Sequence, residues 1–481
     1  MLAAIHGHLG EPDHARSALR SLLAAKPDFA AIARTECEKW WQPDLVDRVL
    51  DGLRKAGLQL PEDQPKPSAS PITPDAGSTA AGPLSVVTAD SGSTRAVEGF
   101  WVAVLPFRAP GSDADLEALA DGLTEDITSG LSRFPYLQVI AHNSATAIKG
   151  RAADIRAVGR ELGARYVMEG SLRQAGSKLR LAVQLADAVS GAHLWADTYE
   201  RAFTPESAFE LQDELVSRIV STVADMNGVL ARSMSDAVRS RDPEQLTPYE
   251  AVLRSFGYGT RATAEELSAA LSALELAVRK VPSYGDAWGA LAQLYGQDYA
   301  QGFNLRADSL ERGLSAAQRA VELAPNSYIG YCGLAQVLFF QKEFQSFRNA
   351  AERSVALNPM DGNVVALLGE LLTYTGDWQR GLALAGRARQ LNPAPPGGTG
   401  MPTSTTRTVR ATIVARSVSR SKSICRATGF PTPRSLPHAV SWGKRMTPPK
   451  PCGISSECAR TSRPLHARTS RSGGIPSTWT G

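Results

Sequence analysis

Three prolines, Pro325, Pro359 and Pro393, stand 34 residues apart, and Pro282 precedes the first of them by 43. Proline cannot continue a helix, because it lacks an amide hydrogen and its ring strikes the carbonyl four residues back. A breaker at a fixed interval therefore closes a recurring unit, and this interval suits two short helices with their turns. Counting back from Pro359, Tyr331, Leu334, Ala335 and Leu338 recur at spacings of three and four, with Ala351 on the helix that follows. The same offsets from Pro393 give Val365, Leu368, Gly369, Leu372 and Ala385. Trp288, Leu291, Ala292 and Tyr295 repeat the pattern, and extra residues around 297–306 account for the longer interval. These side chains are expected to pack as core, with Ala335 and Gly369 letting neighbouring helices approach closely. The array is placed at residues 248–396.

A period of 34 is that of the tetratricopeptide repeat, which these helix pairs resemble. The resemblance implies stacked pairs enclosing a groove that takes a protein or peptide partner.

Beyond residue 396 the composition changes. Residues 397–481 hold fourteen Lys or Arg against one acid, Glu457, so the other 396 residues carry 38 bases against 47 acids. The formal charge of +4 thus conceals a body of about −9. The excess base sits in one segment without hydrophobic period, which reads as a disordered basic tail and not as a nucleic-acid-binding surface. Neither a nucleic acid nor a membrane is expected as partner. The chain has no apolar run of eighteen residues, and His6, His8, Glu11 and Asp13 stand where a signal peptide needs an uncharged core. A cytoplasmic location is the default. Cys425, Cys452 and Cys458 lie in the tail, leaving Cys37 and Cys332 for the body, which is no disulfide framework. The tail cysteines with His438 and His466 do not have zinc-ligand spacing, and the S-x-x-K match at Ser419–Lys422 is low-complexity noise.

Residues 99–201 have a β-α-β-α-β-β grammar. A strand Trp101–Leu105 closed by Pro106 leads to an amphipathic helix from Asp115 to Phe134, a strand Leu137–Ala141, a helix Asp154–Leu162, and strands Tyr166–Gln174 and Lys178–Asp187. In the last, Leu179, Leu181, Val183 and Leu185 alternate with Arg180, Ala182 and Gln184, as a sheet with one buried face requires. The expectation is an α/β sandwich. Connecting helices fill 202–247, the first from Pro205 to Leu230. Residues 58–98, rich in Pro, Ser, Thr, Ala and Gly, read as a disordered linker. Residues 1–57 read as the terminal helical repeat and cap of a preceding unit: Ala15, Leu19, Leu22 and Leu23 share a face ahead of Pro27, and after Trp40-Trp41-Gln42-Pro43 a helix Asp44–Lys55 is capped by Gly57.

The stretches Gly99–Phe107, Ala120–Glu125, Gly159–Gly163, Tyr166–Leu172, Gly191–Asp197 and Phe209–Glu214 resemble the TolB amino-terminal-like module, of the FlgO and CadC type. That resemblance implies a module placed beside tetratricopeptide repeats, carboxy-terminal to a bacterial effector such as a class III adenylate cyclase, a Ser/Thr kinase or a winged-helix regulator. The kinase loops and the P-loop are not in the sequence, and the first 57 residues are too few for a cyclase domain. No catalytic, cofactor-binding or metal-binding residue is therefore assigned. His193, beside Trp195, is expected to pack, and Arg165, Glu169 and Arg173 to form a solvated strand face.

The tail can be read a second way. Synonymous codons for residues 457–480 can be chosen so that a shifted frame reads V-R-P-D-F-A-P-A-S-R-A-D-I-E-E-W-W-D-P-E-Y-V-D. Pro27-Asp28-Phe29 and Trp40-Trp41-Gln42-Pro43-Asp44-Leu45-Val46-Asp47 have the same thirteen-residue spacing. The expectation is a frame slip near residues 395–398, with a second copy of the 1–57 segment as the true continuation. The chain then reads as a non-catalytic, protein-binding regulatory region of a bacterial signalling protein. The regulatory part of an adenylate cyclase-related protein and a fragment of a CadC-type transcriptional regulator stand as alternatives.

Overall fold

A computed structural model describes residues 2–60, 100–111, 114–146 and 154–393. The bulk of the expected linker, the basic tail and the frame-slip reading lie outside the described residues.

Residues 2–60 form four helices, α1 (Leu2–Leu9), α2 (Pro12–Ala25), α3 (Phe29–Trp40) and α4 (Pro43–Lys55). Pro12 and Pro43 each sit in a first turn, where the missing amide hydrogen is no loss. Gly57 takes φ +100 just past α4, as a helix terminator should. Leu19, Ala33, Cys37, Val46, Leu50 and Leu53 belong to a core of this unit's own.

The middle of the chain builds a five-stranded mixed sheet of order β2-β1-β3-β4-β5. Its strands are β1 (Trp101–Val104), β2 (Gln138–Val139), β3 (Tyr166–Ala175), β4 (Lys178–Asp187) and β5 (His193–Ala202). β1 runs parallel to β2 and β3, while β3, β4 and β5 are antiparallel, joined first by a turn in which Gly176 takes φ +60. β5 lies beyond the expected β-α-β-α-β-β order. It is an edge strand on which only Tyr199 is buried, so its residues carry no alternating pattern to read.

Helix α5 (Ala114–Leu131) covers one face of the sheet through Leu119, Leu123 and Ile127, which meet Val102, Val104, Tyr166 and Met168 in the core. The short α6 (His142–Thr146) follows β2. On the opposite face α7 (Ile155–Leu162), capped by the Asp154 side chain, packs Val158 against Ala103, Val167 and Ala188. Gly159 makes that approach possible, since a Cβ there would strike the Ala188 methyl.

The expected helix Pro205–Leu230 is instead α8 (Ala208–Ala224) and α9 (Val229–Arg239), broken at residues 225–228. Asp225 turns to ψ 167, and its carboxylate accepts from the Asn227 amide at 2.9 Å. α8 and α9 share one continuous core with the sheet and with the helices that follow.

Those helices are pairs: α10 (Pro248–Arg261) with α11 (Ala264–Lys280), α12 (Gly285–Gln301) with α13 (Ser309–Leu323), α14 (Tyr328–Phe340) with α15 (Phe344–Leu357), and α16 (Gly362–Tyr374) with α17 (Trp378–Leu391). Each of Pro282, Pro325, Pro359 and Pro393 follows the second helix of its pair by two residues. The array begins at a capping box in which Thr247 Oγ1 accepts from the Glu250 amide and the Glu250 carboxylate accepts from the Thr247 amide. The longer interval, from Pro282 to Pro325, is taken up by about one extra turn of α12 and a loop ordered by Asp298. Its buried carboxylate accepts from the amides of Leu305 and Arg306 at 2.9 and 3.1 Å and from Ser309 Oγ at 2.6 Å. A small mixed sheet followed by many helices is thus the architecture, as the α/β-plus-array expectation requires.

Candidate functional site

The first helices of the pairs, α10, α12, α14 and α16, pack on one another and make a continuous layer. Their last turns carry aromatic side chains: Tyr299 on α12, Phe339 and Phe340 on α14, and Tyr374 on α16. Phe340 and Tyr374 are 34 residues apart, so the repeat itself returns an aromatic ring to this rim. Tyr299 and Phe340 meet edge to face at 5.4 Å between ring centres, and Phe339 lies 6.3 Å from Tyr374.

Another part of the chain occupies this rim. Trp40, the last residue of α3, meets Phe340 at 5.3 Å and Tyr374 at 5.8 Å, while Trp41 stands edge-on to Tyr374 at 5.6 Å. The Lys39 ammonium lies 5.7 Å from the centre of the Tyr299 ring. Two polar bonds fix the register. The Lys342 amine donates to the Lys39 carbonyl at 2.7 Å, and Gln42 Nε2 donates to the Thr375 carbonyl at 3.1 Å. Burial pushes the Lys342 ammonium down to about 8, against a smaller opposing pull from Glu38. Beside this contact, Gln345, Arg348, Thr375, Gly376, Asp377 and Arg380 line an open cleft of about 550 Å³. Sequence reasoning placed a partner in the repeat groove but named no groove residue. The ring recurring in the last turns of α12, α14 and α16 was the signal that could have found these.

A second constellation lies where the sheet-bearing part meets the array. Asp225, at the end of α8, and Asp361, at the start of α16, are both buried. Asp361 accepts from Tyr328 Oη at 2.9 Å and from the Val364 amide at 2.9 Å, and Asn227 Nδ2 donates to Asn363 Oδ1 at 3.0 Å. Tyr136 Oη, from the loop after α5, donates to the Ala224 carbonyl. Burial, with the neighbouring Asp361, pushes Asp225 up to about 8, and burial raises Asp361 as well. Desolvation disfavours each carboxylate and the two repel, so this junction holds protons that a surface pair would release.

The sheet offers a third surface. Where α7 leaves its face uncovered, Arg108, Glu169, Ser171, Gln184, Asp197 and Thr198 line a cleft of about 550 Å³. Glu169 accepts from Gln184, and Arg108 stands 3.8 Å from the same carboxylate. Of the expected solvated face, Arg173 is exposed, but Arg165 and Glu169 are half-buried. Arg165 stacks on Phe100 at 4.8 Å and pairs with Asp187 at 3.4 Å. His193, expected to pack, is exposed at the start of β5, because this edge strand sends little of itself to the core. His6, Glu11 and His14, a group the sequence reading passed over, bring their ligand atoms within 4.8 Å of one another on the surface of α1 and α2.

Residues 98–240 match the family described as HilA/YgeH-like transcriptional regulator, second domain. A Rhizobium meliloti (strain 1021) protein named "Putative adenylate cyclase 3" is 33% identical over 250 residues, 52% of this chain and 42% of that protein. The chain thus spans under half the length of that relative. Among solved structures, a PelC dodecamer from Paraburkholderia phytofirmans, determined as a point variant, is 19% identical, with 26% of this chain and 86% of that one covered at a TM-score of 0.20. Lipoprotein GNA1162 from Neisseria meningitidis is 14% identical over 26% of this chain and 99% of its own, also at 0.20. TolB from Acinetobacter baumannii is 15% identical over 27% and 30%, at 0.18. The sheet-bearing region is therefore similar to a domain of a transcriptional regulator, and about half of the chain to a protein named as a cyclase. Among the described residues no helix is long and apolar enough to cross a membrane.

Proposed function

We propose that this chain is a non-catalytic regulatory region of a bacterial signalling protein, in which a tetratricopeptide-type array binds a protein segment and a TolB-like module, residues 99–201, is fused to it. Its place is the cytoplasm, and its partner is protein, with neither nucleic acid nor membrane. The observation that carries this reading is the continuous layer of first helices with a ring returned to its rim by the 34-residue repeat. Such a surface suits an extended or helical polypeptide better than a small substrate. The match of residues 98–240 to a regulator's domain supports a regulatory role.

The purified chain, incubated with ATP and Mg²⁺ or Mn²⁺, is expected to form no cyclic AMP; measurable product refutes the reading. A second reading, part of a transcriptional regulator, is favoured by that same match. Retention of DNA by the chain in a mobility-shift assay at physiological salt selects it, whereas a shift that vanishes there is tail electrostatics.

A further inference from the structure

The aromatic rim already holds polypeptide, and the way it does so separates a ligand from a structural element. Residues 2–60 bury Leu19, Ala33, Val46, Leu50 and Leu53 in their own core, distinct from the core shared by sheet and array. What they offer the array is the end of α3 and the turn after it. Trp40 and Trp41 supply two large rings, and edge-to-face aromatic pairs attract beyond the area they bury. The polar bonds are reciprocal. Lys342 satisfies a carbonyl left without an intrahelical partner at the end of α3, and Gln42 satisfies one just past the end of α16. Each side thus caps the other's helix, which fixes both position and direction. In sequence, the 39 residues 61–99 separate this unit from the sheet.

We propose that Lys39-Trp40-Trp41-Gln42 is a tethered ligand of the array, seated on Tyr299, Phe340 and Tyr374, and that an incoming protein segment reaches this rim by displacing it. The inference rests on the protein-binding reading above and gives the groove its first occupant. A tether holds its ligand at roughly millimolar effective concentration, so a tethered segment whose own affinity is roughly 10 µM weakens the binding of any free segment about 100-fold.

The test uses the full chain with a protease site inserted between residues 70 and 90. After cleavage the amino-terminal fragment is expected to co-elute with the remainder on gel filtration. It should separate when the chain carries Trp40→Ala with Trp41→Ala, or Gln42→Glu, which sets a negative charge against the Thr375 carbonyl and leaves both rings. Circular dichroism of the uncleaved variants checks that the fold is kept. A synthetic peptide of residues 36–47 is then titrated into the uncleaved chains by fluorescence anisotropy. It should bind the Trp40→Ala, Trp41→Ala chain about 100-fold more tightly than the unaltered one. Separation of the unaltered fragments, or equal peptide affinity for both chains, overturns the tethered ligand. Neither outcome touches the non-catalytic reading, which stands or falls on the cyclic AMP assay, while the DNA assay separately tests the regulator alternative.

Discussion

Replacing Asp225 by Asn should change how stability depends on pH more than it changes the fold. In the native chain Asp225 is 3% exposed, and burial with the neighbouring Asp361 holds its carboxyl at about 8, against 3.8 for an ordinary aspartate. Between pH 5 and 7 the unfolded chain has released this proton and the folded chain retains it. Raised in the folded state, the group contributes stability that is whole below the unfolded value and is lost as pH climbs toward 8. One proton held only by the folded state costs about 1.4 kcal/mol per pH unit, hence roughly 3 kcal/mol across the window. Asn keeps an oxygen for the Asn227 amide and cannot ionise. The stability of the native chain minus that of Asp225→Asn should therefore fall by about 3 kcal/mol from pH 5 to 7, read from urea midpoints followed by tryptophan fluorescence. A difference that is flat with pH, or that grows as pH rises, refutes the shared-burial argument.

Tyr328→Phe removes the hydroxyl that donates to Asp361 and should cost about 1–3 kcal/mol in the same urea experiment. Gly170→Ala puts a methyl 2.7 Å from the Phe107 ring, so the loop after β1 must shift; a loss of about 1–3 kcal/mol and an altered near-ultraviolet spectrum are expected. Thr247→Ala breaks the capping box at the head of α10 and should cost about 1 kcal/mol, with faster amide exchange confined to the first turn. Asp298→Ala leaves the Leu305 and Arg306 amides without their acceptor, and hydrogen exchange in residues 302–308 should quicken while α14 to α17 keep their protection.

The sequence by itself determined what neighbours along the chain can decide. The proline interval placed the ends of α11, α13, α15 and α17, because a residue without an amide hydrogen stops a helix whatever surrounds it. Strict alternation placed β4 at Lys178–Asp187. Only the tertiary structure decided the rest. β5 is a strand because β4 offers it an edge, though its side chains alternate poorly between core and solvent. α8 stops at Asp225, and that residue becomes a proton-holding group because the fold buries it, with Asp361, distant in sequence, brought into the same dry junction. His193 is exposed for want of a core on its side of an edge strand. Trp40 and Trp41 were visible as an aromatic pair, but no period links them to Phe340 and Tyr374. Contacts between segments some 300 residues apart are set by which surfaces meet, and that depends on the whole fold.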